Sequence, residues 1–445
     1  MALEQLQHIP EGLQAAGTIT QRIDSALARG FARLTPDLLD DLASVGRTLT
    51  GTPLGAVMDD TLEALKEGVR AEHLSVLAAA RTALEGARYD GLMTQASEAL
   101  GLALTDAQEV LPGTPIADDP LMDSVRQWLL EVALAGLLQL ERATVGPFVA
   151  VLESIQERPE HVRLAALLTG FVTELLAHVP TAALDQIPQR RWADIWSRAM
   201  LMASQPVPVA ASQPVRGTFA PIGVDVRLHD NLANAEVWGV LEDAEAQAHV
   251  VRASISAWKV DVVTGAEVWS TLANHAKGLL TLVDKGTDAT VAKMALTSTG
   301  TLIWEDEQAK GGSAAPLLKT AAKALEGASH RRVLAFDRHP IQIAIPIWLE
   351  GCTVNTAGTT VTCQGATLPL AVQRLSPLGP PMESVRKAKQ MVGVLRFDAD
   401  RWCVQPLAVS GKGGVAPDLS KGLKGKGGNA AILTERASKL LRQKS

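Results

Sequence analysis

Asp398 and Asp400 flank a single alanine, and His339 precedes them in the same half of the chain. Two carboxylates and an imidazole brought together by folding could move protons or hold a metal ion, because both tasks need lone pairs on one spot. Cys352 and Cys363 are a second candidate group. The segment between them reads as a hairpin turning at Ala357-Gly358, which sets the two thiols opposite each other with Val354 opposite Val361. That places them at a hydrogen-bonded pair, about 5.5 Å apart at Cα, where a disulfide bridges less easily than at the closer sites. Buried thiols are the default reading. The third group, Ser410-Gly-Lys412-Gly-Gly-Val415, starts like a phosphate loop, but Ala416-Pro417-Asp418 stands where Gly-Lys-Ser/Thr would hold phosphate and magnesium.

No Gly-x-Ser-x-Gly, His-Glu-x-x-His or Gly-x-Gly-x-x-Gly motif occurs, so hydrolase, zincin and dinucleotide readings have no anchor in sequence. Cys403 is the one further cysteine and no Cys-x-x-Cys accompanies it, so no zinc site is expected. The nine histidines are scattered. Asp40-Asp41, Asp59-Asp60 and Glu305-Asp306-Glu307 fall at expected helix ends and loops, ordinary places for solvated charge. Catalytic residues stay unassigned, and neither a cofactor nor a metal is expected.

These residues need elements to position them. The chain has 445 residues, is 47% hydrophobic and carries a formal net charge of -6, enough to bury large cores in about two or three domains. Residues 1–203 read as an all-α domain of about seven to nine helices, with Thr35-Pro36, Asp119-Pro120 and Arg158-Pro159 marking starts. Residues 204–216 are a Pro-rich linker that repeats Ser-Gln-Pro-Val and holds the halves apart or routes the chain along a surface. Residues 217–410 read as strand-rich α+β. In them Ile222, Val224, Val226 and Leu228 alternate with polar residues as in a half-buried strand, and Ile341 to Leu349 alternate as a strand that Pro340 and Pro346 put at a sheet edge or a bulge. Residues 411–445 are a Gly/Lys tail of net charge +6 with a short amphipathic helix at its end, which leaves -12 over the remainder.

Two surfaces are candidates for partners. Arg191, Trp192 and Trp196 lie on the last helix of the first domain, where Trp and Arg suit a binding hot spot and equally suit packing within the fold. Lys421, Lys424, Lys426, Arg436, Lys439 and Arg442 make the tail a candidate for nucleic acid, an acidic partner or anionic lipid. No aromatic interleaves them, which argues against base stacking. The start of the chain lacks a signal-peptide pattern and no apolar run reaches the roughly 20 residues of a membrane span. With three cysteines, a reducing cytoplasm is the expected compartment.

Arg191-Trp-Ala-Asp-Ile-Trp-Ser-Arg-Ala199, the spacer and Gly217-Thr-Phe-Ala-Pro-Ile-Gly-Val-Asp-Val226 resemble the junction of accessory proteins from bacterial gene clusters that pair a MoxR-type AAA+ ATPase with a von Willebrand A protein. The resemblance implies a partner of such an ATPase or von Willebrand A protein and carries over no catalytic residue. Three function classes follow: a non-enzymatic scaffold or adaptor of a cytoplasmic bacterial assembly, a nucleic-acid binder acting through the tail, and an enzyme with a site assembled from dispersed residues. A polar pocket joining His339, Asp398 and Asp400 is the feature that favours the last.

Overall fold

A computed structural model describes residues 2–106, 110–113, 119–260, 262–412, 414–415 and 419–424. Among these, nine α-helices precede the strand-rich half: α1 (Glu11–Arg29), α2 (Pro36–Thr48), α3 (Pro53–Leu65), α4 (Ala71–Leu100), α5 (Pro120–Ala135), α6 (Arg142–Val145), α7 (Phe148–Gln156), α8 (Val162–His178) and α9 (Gln189–Ser204). Their starts follow local chemistry. Thr35 Oγ accepts the Leu38 N–H and Asp119 Oδ1 accepts the Leu121 N–H, each with proline at the first helical position. Arg158-Pro159 opens a 3₁₀ turn that leads into α8.

The strands are β1 (Ala103–Thr105), β2 (Val110–Leu111), β3 (Val209–Ala210), β4 (Ser212–Leu228), β5 (Leu232–Asp243), β6 (Ala248–Trp258), β7 (Thr287–Thr297), β8 (Leu302–Ile303), β9 (Ala309–Ala314), β10 (Ser329–Arg331), β11 (Ile345–Glu350), β12 (Thr353–Val354), β13 (Thr360–Cys363), β14 (Ala366–Pro369), β15 (Gln390–Asp398) and β16 (Arg401–Val409). Helices α10 (Ala266–Lys285), α11 (Leu317–Ala324), α12 (Met382–Lys387) and α13 (Leu419–Lys424) lie among and after them. The main sheet runs β1-β10-β6-β5-β4-β7-β8, with β9 on β7; a second sheet is β11-β15-β16 and a third is β12-β13-β14. The architecture is therefore all-α followed by α+β.

The junction is not a gap. Ser212 to Val215 continue β4 and pair with β7, so from Ser212 on the segment expected to hold the halves apart or route the chain along a surface is part of the main sheet. Pro214 is tolerated there because β5 pairs with β4 only from Gly217 onward, which leaves one side of the ladder open at the proline. The halves also share a core. Leu74, Leu77 and Ala80 of α4 face the helical core, whereas Tyr89, Leu92, Met93 and Ala96 of the same helix pack with Ile343, Ile345 and Leu395 of the strand-rich half.

The alternation in β4 is buried on both faces rather than one. Val224 and Val226 face α10 with Trp269 and Leu272, and the second sheet covers the opposite face. A bulge between Pro221 and Gly223 moves Ile222 into the inter-sheet core with Val394 and Leu407. Gly223 is needed there, since a Cβ would lie 2.7 Å from the Leu407 Cβ. Pro346 sits in β11 at the edge of the second sheet, as a residue without a donor must, but Pro340 to Gln342 form a 3₁₀ turn instead of extending that strand. The cysteine hairpin has the expected register: Thr353 opposes Thr362 and Val354 opposes Val361. Cys352, Cys363 and Cys403 are free and buried, and burial pushes each thiol up from its ordinary value.

Candidate functional site

The tryptophan face of α9 turns inward. Trp192 and Trp196 are 0% and 1% exposed, their Nε1 atoms donating to Glu174 Oε1 at 3.0 Å and to the Leu129 carbonyl at 2.9 Å. The indoles hold α9 to α8 and α5, so they are not a docking face; an amphipathic helix in a bundle buries its large apolar side chains. Arg191 stays on the surface and pairs with Glu174. Lys421 and Lys424 are exposed on α13, which is anchored by buried Leu419 and by Ser270 Oγ donating to the Gly422 carbonyl. Lys426, Arg436, Lys439 and Arg442 lie outside the described residues.

His339, Asp398 and Asp400 do come together. They line a cleft of about 390 Å³ with Arg190, Asp194 and Phe397, where α9 meets the β15–β16 hairpin and the 3₁₀ turn at Pro340. No group of three or more His, Cys, Asp or Glu side chains among the described residues has the arrangement to hold a metal ion.

Each wall has a local cause. Arg190, Asp194 and Arg198 recur at four-residue spacing on α9, and Arg81, Glu85 and Arg88 at four and three on α4, so each trio shares one helical face. Arg81 Nε donates to Asp24 Oδ1 at 2.6 Å and Nη1 to Asp194 Oδ1 at 3.0 Å, with Arg198 Nε on Asp194 Oδ2 at 3.0 Å. Burial works to raise the Asp194 carboxyl, but His339, Arg198 and Arg81 hold it down at about 2. Ala399 and Asp400 form the two-residue tip between paired Asp398 and Arg401, both at positive φ (47° and 55°). Neither is a glycine, and the left-handed geometry costs each of them about 1–2 kcal/mol. It presents Asp400 Oδ1 to Arg88 Nη2 at 2.6 Å and Arg190 Nη1 at 3.1 Å.

His339 Nδ1 accepts the Ile341 N–H at 3.1 Å, so in the neutral ring the proton sits on Nε2. Burial pushes the imidazole below its ordinary value despite Asp194 and Glu85 nearby, which keeps it neutral at pH 7. Its Nε2–H points between Asp194 Oδ1 at 3.6 Å and Glu85 Oε2 at 3.8 Å, both too long for hydrogen bonds. Glu85 Oε2 in turn lies 4.0 Å from Arg88 Nη1. Glu85 Oε2, Arg88 Nη1 and His339 Nε2 are all buried, and none has a hydrogen-bond partner among the described residues.

Sequence reasoning reached His339, Asp398 and Asp400 and missed Arg81, Glu85 and Arg88. Their signal was present: three charges on one face of a helix otherwise rich in Ala and Leu, where buried charge demands partners. It also missed Trp258 and Val262, 70% and 69% exposed. No helix of the described residues is long and apolar enough to cross a membrane. No protein-family model, curated protein or solved structure matches the chain.

Proposed function

We propose that the chain binds a small hydroxylated metabolite in the cleft between its helical and strand-rich halves. The observation that carries this reading is the convergence of two buried donors, Arg88 Nη1 and His339 Nε2–H, with one buried acceptor, Glu85 Oε2, all without protein partners. A hydroxyl oxygen accepts twice and donates once, which matches that set. Buried polar groups are almost always paired, so three orphans, with His339 in the cleft wall, Arg88 bonded to Asp400 of that wall and Glu85 behind it, point to a binding partner. The cleft volume suits a metabolite. Phe397, Pro340 and Ile341 offer apolar wall, while Arg190 and Asp398 at the lining fix orientation.

A thermal-shift screen of sugars, polyols and hydroxy acids tests it on the full chain, followed by titration calorimetry on the best compound. The expected result is a binder whose affinity falls at least about tenfold in Glu85→Gln and in His339→Gln, the loss of one or two hydrogen bonds to charged or polar groups. Binding unchanged in both variants, or no binder in the panel, would remove the reading.

A second reading, an adaptor in a larger assembly with an AAA+ ATPase or a von Willebrand A protein, is supported by exposed Trp258 and Val262, since an exposed tryptophan suits a partner. A nuclease-treated pull-down of wild type and Trp258→Ser tests it: a stoichiometric partner lost in the variant supports the adaptor. Recovery of bare nucleic acid without nuclease, lost above moderate salt and on removal of residues 411–445, would favour the tail instead.

A further inference from the structure

A separate cavity of about 210 Å³ opens where β1, β6 and β10 meet at one end of the main sheet. Ser329 on β10 and His249 on β6 are register partners in its wall. Ser329 Oγ lies 2.8 Å from His249 Nδ1, and His249 Nε2 lies 2.8 Å from Asp243 Oδ2. The second oxygen of Asp243 accepts the backbone N–H groups of Glu245 at 3.1 Å and Gln247 at 2.8 Å, in a turn where Ala246 takes φ 58°. Those contacts fix the proton order along the row. A carboxylate can only accept, so His249 Nε2–H donates to Asp243 Oδ2, and Nδ1 keeps its lone pair and accepts the Ser329 hydroxyl.

We propose that Ser329, His249 and Asp243 form a nucleophilic relay that hydrolyses small carboxylic esters. Ser329 Oγ attacks the carbonyl carbon as its proton passes to His249 Nδ1. The carbon–oxygen bond to the alcohol breaks, the alcohol leaves with that proton, and Ser329 holds the acyl group as an ester. Water then attacks the acyl carbon with His249 as base, releasing the carboxylic acid and restoring the serine. Ser298 Oγ, in the same cavity and without a hydrogen-bond partner among the described residues, supplies a donor to the oxyanion. Arg331, whose Nη1 donates to the Thr297 carbonyl at 3.1 Å, brings a cation to a wall that also carries the Asp106 carboxylate.

Incubation of the full-length protein with a fluorophosphonate probe, followed by peptide mass spectrometry, tests the relay directly. The expected result is an adduct on Ser329 that is lost in Ser329→Ala and forms roughly 100-fold more slowly in His249→Gln, the lower end of a general base's contribution. Hydrolysis of a chromogenic acetate ester should fall in parallel. Asp243→Asn provides an independent variant should His249→Gln fail to fold, with circular dichroism checking each. No adduct on folded wild-type protein, or one that forms at the wild-type rate in folded His249→Gln or Asp243→Asn, overturns the proposal.

Discussion

Two buried polar networks in this molecule look alike in composition and differ in closure. Between the two sheets, Asp225 Oδ1 accepts from Gln405 Nε2 at 2.8 Å and Oδ2 accepts from Arg396 Nη2 at 3.1 Å, while Arg396 Nε donates to Gln405 Oε1 at 2.5 Å. Arg227 adds a further donor to Asp225. Beside the cleft, Glu85, Arg88 and His339 have the same kinds of groups at similar burial, yet each leaves an atom unmatched. A closed network locks two surfaces in register, whereas an open one keeps donors and acceptors for something else.

Breaking the closed network should have the largest effect. Asp225→Ala leaves Arg396 buried without its carboxylate and should cost about 3–5 kcal/mol, read as a lower urea midpoint. Burial already holds Arg396 down at about 10 against the pull of Asp225. A loss under about 1 kcal/mol would deny that network its structural role.

Acid acts next, through buried histidines that lie outside the closed network. Burial holds the folded His330 at about 4, and Arg252 nearby lowers it further, while its ordinary value is 6.5. The unfolded chain therefore binds the proton first as pH falls, so stability drops between about pH 6.5 and 4 by up to about 3 kcal/mol. His339, also held below its ordinary value by burial, adds to the same slope. Chemical denaturation across that window should show the slope reduced in His330→Asn and in His339→Gln.

Gly223→Ala tests the spacing of the two sheets and should cost about 1–3 kcal/mol by forcing Leu407 aside. His339→Gln should cost about 1 kcal/mol, since Nε2 has no hydrogen bond to lose and only the Ile341 N–H loses its Nδ1 acceptor, and should still weaken ligand binding at least about tenfold. The smallest change is a gain: Ala399→Gly relieves a left-handed alanine and should raise stability by about 1 kcal/mol, measured by the same denaturant titration.

Much of the fold was legible because it depends on local rules. Pro after Thr or Asp started helices, and alternation marked β4 to β6 and β11. What alternation could not reveal was the second sheet lying over β4, since nothing in Gly223 or Asp225 says what will cover them. The proline-rich junction misled for a related reason: proline forbids a ladder bond only on the side where a neighbour needs it, and at Pro214 no neighbour does. The cleft was legible by half. His339, Asp398 and Asp400 stood out as chemical types, and their meeting depends on a hairpin tip reaching a helix of the other half. Trp192 and Trp196 were ambiguous from spacing alone, and burial decided them.

Glu85, Arg88 and His339 are proposed to hold a ligand hydroxyl. A high-resolution crystal structure of the full chain with the best compound from the hydroxylated panel tests it most directly. The expected result is a ligand oxygen within about 2.7–3.2 Å of Glu85 Oε2, Arg88 Nη1 and His339 Nε2 together. A ligand bound elsewhere, or the three atoms paired with protein groups across a closed cleft, would contradict it.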